Sequence, residues 1–101
     1  MRDLSYYYRY DDTMWGEDSV KLTLSIFHVV KRTRCGAWVE GYGQRHFVLD
    51  AARKKFAHPT KEEAFQGYQA RKRRQCAILR WKLARAEKAR ELTPESEAAY
   101  F

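Results

Sequence analysis

HPTKEEA, residues 58–64, is where the chain changes its local period. Thr60 is followed three residues later by Glu63, the capping-box spacing in which the threonine oxygen and the glutamate each satisfy a free backbone N–H at a helix start. Pro59 holds His58 in an extended conformation and so separates the cap from what precedes it. From Lys61 to about Leu92 there is no proline, and Ala, Arg, Lys, Glu and Leu dominate. The spacing therefore predicts one helix over 61–92, roughly 45 Å long at 1.5 Å per residue. LTPES, residues 92–96, ends it.

Upstream of the cap the period is two. SYYYRYDD sets Tyr6, Tyr8 and Tyr10 against Tyr7, Arg9 and Asp11, as a pleated strand with one buried side would. TMWGED supplies a turn around Gly16. Val20, Leu22, Leu24 and Ile26 then share one face, with Lys21, Thr23 and Ser25 on the other, and beyond Ile26 both faces are apolar. That strand is expected to be central and partly covered on both sides. RTRCG turns the chain, AWVEGY gives a third strand loosened by Gly41 and Gly43, and RHFVLD gives a fourth. The expected fold is α+β: an antiparallel four-stranded meander followed by one long C-terminal α-helix. It is read as a single domain, with a sheet over 1–50, a basic connector over 51–60, the helix over 61–92 and an acidic tail over 93–101.

A chain of 101 residues supports one modest core. Twenty Lys and Arg against thirteen Asp and Glu leave +7, which argues for anionic partners and against an acidic mimic of nucleic acid. Cys35 and Cys76 have neither CxxC spacing nor a histidine cluster, so a zinc site is not expected and two reduced thiols are. MRDLSYYYRYDD contains no apolar leader-like stretch, and no window approaches the roughly 18 apolar residues that span a bilayer. The expectation is a soluble intracellular protein with no membrane association.

The helix carries the functional argument. Phe65, Tyr68, Lys72, Cys76, Leu79, Leu83 and Ala86 fall at three- and four-residue spacing along one stripe, with Lys72 snorkelling its ammonium outward. A second stripe joins Arg71, Arg74, Ile78, Trp81 and Arg85. A solvated basic face is the bland explanation, and it suits Arg73 and Lys88 best. Arginine interleaved with tryptophan also suits phosphate pairing and base stacking, so Arg71, Arg74, Trp81 and Arg85 are the candidate ligand-binding residues. Arg53, Lys54 and Lys55, just before the helix N-terminus, form a second basic cluster and are candidate ligand-binding residues too, although the glycines of a phosphate-cradling loop are missing there. A helix longer than the roughly 20 Å of a six-residue strand should overhang the sheet, and Ile78 and Trp81 on the overhang point to a homodimer or higher homo-oligomer.

Catalysis finds little support. His28, His46 and His58 are dispersed and outside any nucleophile or metal motif. Asp11 and Asp12 could pair on a metal, but turn chemistry explains them better. No enzyme activity, cofactor or metal is expected.

RHFVLDAARKKFAHPTKEEAFQGYQARKRRQCAILRWKLARAE, residues 45–87, preceded by YRYDD and CGAWVEGYG, resembles small accessory proteins encoded by bacteriophages and prophages. The resemblance covers most of the chain and is most specific at KKFAHPTKEEA. It implies a stoichiometric anti-defence binder in the cytoplasm of the infected bacterial host, in the manner of anti-CRISPR or nucleotide-sponge inhibitors. The positive charge departs from the DNA-mimicking anti-CRISPR pattern and favours an anionic ligand, a nucleotide immune signal or nucleic acid, or a nucleic-acid-associated host defence protein. A general nucleic-acid-binding accessory protein and a structural or assembly component of a virion are the alternatives.

Overall fold

The computed structural model describes residues 5–100. Strands β1 (Tyr6–Trp15), β2 (Ser19–Arg32), β3 (Gly36–Gly41) and β4 (Gln44–Leu49) pair antiparallel in the order β1-β2-β3-β4 and are followed by helix α1 (Lys61–Arg90) and a short 3₁₀ turn at Pro94–Ser96. This is the meander-plus-helix arrangement expected from the sequence. The chain divides into two compact units, Met1–Ala70 and Arg71–Phe101.

In the first unit the hairpins follow from their turn residues. Tyr42 and Gly43 both adopt positive φ, 53° and 75°, as a two-residue turn between right-twisted strands requires. Gly16, at φ 79°, serves the β1–β2 turn. The register sets Tyr7 opposite Phe27, Val29 opposite Val39 and Ala37 opposite Val48. All six lie on one sheet face, and of these six Val29 alone is partly rather than fully buried.

The connector closes that face. The Phe56 ring stacks on His46 at 3.8 Å and meets Phe27 edge-on at 5.2 Å, while Ala57 is fully buried. Arg9 lies over the Phe56 ring at 4.8 Å and donates from Nη1 to the Phe56 carbonyl (2.7 Å); its Nε donates to Asp11 (3.0 Å). His58 then exchanges two backbone hydrogen bonds with Tyr8, at 2.7 and 2.9 Å, along the outer edge of β1. An edge that would offer unpaired N–H and C=O groups is thereby partly capped by the protein's own chain.

One register shift interrupts β2. Val29 pairs with Val39, but the next pair is Lys31 with Trp38, leaving Val30 as an extra residue. The shift returns Arg32 to the core side, opposite Ala37, with its guanidinium 5.9 Å from the Tyr7 ring.

The other sheet face carries the alternating set Val20, Leu22, Leu24 and Ile26, together with Trp38, Phe47 and Leu49. Most of these side chains are exposed. The strand pattern of β2 thus points its apolar side away from the core formed by Tyr7, Phe27 and Val39.

Thr60 starts α1 as expected: its Oγ1 accepts from the Glu63 N–H at 3.1 Å and its carbonyl from the Ala64 N–H at 3.0 Å. Within the first unit, Ala64 is buried, Phe65 meets Tyr10 edge-on at 5.7 Å, and the Lys61 ammonium lies 5.9 Å from the Tyr8 ring.

In the second unit the helix continues to Arg90, a little short of the expected Leu92. The Glu91 and Leu92 N–H groups donate to Lys88 and Ala89 carbonyls and tighten the last turn before Pro94. Every residue from Arg73 to Tyr100 is exposed. The apolar stripe read from the sequence is therefore half-buried only at Tyr68 and Lys72; Leu79 and Leu83 face solvent. Among the described residues no helix is long and apolar enough to cross a membrane.

A basic helical segment as the candidate functional site

Residues 71–90 contain nine Lys and Arg and a single acidic residue, Glu87, for a net charge of +8. The rest of the chain sums to −1, so the whole positive excess of the protein resides in this stretch of helix. The helix holds it there because Ala, Leu, Arg and Lys are strong helix formers and no glycine or proline interrupts them.

Helical geometry sorts these charges. At 100° per residue, Arg71, Arg74, Lys82, Arg85 and Lys88 fall within about a third of the circumference, together with Ile78 and Trp81, over about 25 Å of axis. Arg73 and Arg80 lie on the far side. The candidates Arg71, Arg74, Trp81 and Arg85 are thus brought to one face, all exposed. Arg85 lies 5.7 Å from the centre of the Trp81 ring, a cation–π arrangement that orients the guanidinium and occupies part of the indole surface. Lys72 bends along the helix to donate to Gln75 Oε1 at 3.0 Å. Lys82 lies outside the stripes of mixed residues that the sequence offers. It sits eleven residues after Arg71, close to three full turns, and that spacing would have found it.

The second cluster belongs to the first unit. Arg53 and Lys54 are exposed and Lys55 is half-buried, in the irregular segment after β4. That segment is tied down by the Asp50 N–H to the Cys35 carbonyl (2.8 Å) and the Ala52 N–H to the Leu49 carbonyl (3.2 Å).

The histidines have structural surroundings. His46 is stacked under Phe56, His58 is pinned to β1 by its backbone, and His28 is exposed on the open sheet face beside Tyr6 at 5.0 Å. Cys35 and Cys76 are exposed free thiols. Among the described residues no three His, Cys, Asp or Glu side chains converge as a metal site would need. The arrangement of the helix can attract and track negative charge; it offers a row of guanidinium and ammonium groups and one indole.

No family model, curated protein or solved structure matches this chain.

Proposed function

We propose that this protein is a non-enzymatic binder of an anionic polymer, with nucleic acid as the ligand of the Arg71–Arg90 segment. In the phage setting implied by the sequence resemblance, it would act in the host cytoplasm as an anti-defence protein, occupying the nucleic acid of a defence complex. The observation that carries this reading is the concentration of +8 on an exposed helical segment. A single helix is convex, and its charges are strung along the axis. Such a row suits successive phosphates of a strand, which are spaced along a line, better than one compact nucleotide, which is held by groups converging from several sides. Arg71, Arg74, Lys82, Arg85 and Lys88 would pair with phosphates, and Trp81 would stack on an unpaired base or pack at the rim of the contact.

Fluorescence anisotropy tests this with a labelled 20-base-pair duplex, a labelled 20-nucleotide single strand and a labelled cyclic dinucleotide, each titrated at 50 and 200 mM KCl. The expected result is binding of the 20-mers that falls steeply with salt and negligible binding of the dinucleotide. Salt-insensitive capture of the dinucleotide, with no affinity for either 20-mer, would overturn the proposal. Restoration of phage plating in immune cells by the wild-type chain, but not by an Arg71→Ala/Arg74→Ala variant, tests the anti-defence role.

A further inference from the structure

We infer that the open face of the β-sheet is a homodimer interface, on which a second copy of this chain packs sheet to sheet. Val20, Leu22, Ile26, Trp38, Phe47 and Leu49 line this face and are 37 to 59% exposed. The side chains buried in the core are fewer in bulk: three are alanines, two are valines, and only Tyr7 and Phe27 are large. A chain with more large apolar groups on an open face than in its core has a second core to complete.

The size fits a weak dimer. With strands about 4.8 Å apart and about 3.4 Å of rise per residue, the face left open beside the first turns of α1 has a plan area of roughly 400–500 Å². That is the scale of a small, weak contact, below the roughly 800 Å² per partner of a standard interface. It also stands toward the upper end of the apolar patches that monomers leave in water, roughly 300–600 Å², which are often functional.

Charge selects the partner. Among the described residues, the ionised groups on the strands of this face are Asp12 and Glu40 against Lys31 and Arg45, Glu40 already meets Arg45 at 3.6 Å, and Lys61 at the start of α1 lies over Tyr8. The strands of this face are therefore neutral, and the face as a whole nearly so, on a chain that carries +7. Two copies can meet there without like-charge repulsion, whereas an acidic partner would be drawn to the helix instead. A two-fold contact is isologous, so a flat neutral apolar face is complementary to itself, and aligned packing of two twisted sheets needs no further element. The contact lies on the sheet and not on the distal helix residues Ile78 and Trp81 expected from the sequence.

Sedimentation equilibrium from 1 to 100 µM is the test. Wild type should be dimeric. Leu22→Lys and Ile26→Lys, each checked for retained folding by circular dichroism, should weaken the dimer a hundredfold or more, because each places a charge in the apolar contact. Ile78→Lys/Trp81→Lys should leave the dimer intact. A second readout does not depend on charged variants: in a Trp15→Phe/Trp81→Phe protein the remaining Trp38 emission should shift to the blue as concentration rises through the dimer midpoint. A wild-type monomer at 100 µM overturns the inference, as does an unshifted Trp38. A dimer that survives both sheet substitutions but is lost in the Ile78→Lys/Trp81→Lys protein also overturns it and assigns the contact to the helix.

Discussion

Replacing Arg71 and Arg74 by alanine removes two of the five cations on one helical face while leaving the helix itself strengthened, since alanine is the better helix former. If all five pair with phosphates of a duplex, the slope of log K against log salt is about −4.5 per chain, from −0.9 per phosphate neutralised. The double variant keeps three and should show about −2.7. Between 50 and 200 mM salt, wild type would then lose about five hundredfold in affinity and the variant about fortyfold. If the two lines converge near 1 M, where counterion release no longer favours binding, they stand about sixtyfold apart at 0.1 M. Anisotropy of a labelled duplex at five salt concentrations measures both slopes, and helicity at 222 nm confirms that α1 is unchanged. Equal slopes for the two proteins would show that Arg71 and Arg74 lie off the contact, and the face reasoning would fail. A wild-type slope near zero would remove the phosphate argument altogether.

Three further outcomes test the scaffold. Thr60→Ala removes the acceptor of the Glu63 N–H and should cost about 1 kcal/mol, lowering Tm by about 4–8 °C; an unchanged Tm means that the cap is not what starts α1. Gly36→Ala would place a Cβ against the Val48 carbonyl and 2.7 Å from Phe47 Cζ, forcing β4 away from β3. A loss of about 1–3 kcal/mol in a urea melt is expected, and a variant as stable as wild type would mean that the β3–β4 approach is looser than it looks. Phe56→Ala strips the lid from Phe27 and His46 and should cost about 2–4 kcal/mol by the same measurement; a loss under 0.5 kcal/mol would show that the connector does not close the core.

The strands, their order and the helix start were legible because each is set by local chemistry: period two in β1 and β2, positive-φ positions at the tight turn, and a threonine placed to cap. Which face of the sheet is the core was not legible. Val20, Leu22, Leu24 and Ile26 carry the stronger alternation, yet the connector covers Tyr7 and Phe27. That choice depends on where Phe56 and Ala57 return across the sheet, a long-range event that periodicity does not encode. The stripe through Leu79 and Leu83 misled for a related reason. Helical spacing tells which residues share a face but not whether anything packs there. Sorting the basic residues by angle, by contrast, needed only the sequence and 3.6 residues per turn. Lys82 is inconspicuous in the sequence because it stands apart from the basic run at 71–74.

The extra residue at Val30 also governs how the gene tolerates length changes. In a strand, inserting or deleting one residue exchanges inside for outside all the way to the next turn. The bulge does this once within β2, so that Lys31 follows the open side and Arg32 the core side. Excising codon 30 would straighten the ladder and leave both side chains where they are, Lys31 opposite Trp38 on the open side and Arg32 opposite Ala37 on the core side. An excision farther back in the strand, at codon 24, would instead exchange the faces of the residues between it and the bulge and turn Phe27 outward. Deletion scanning across β2 should therefore find codon 30, whose Val30 side chain is exposed, far more tolerant than codon 24, and equal loss of folding at the two positions would show that the bulge itself is required.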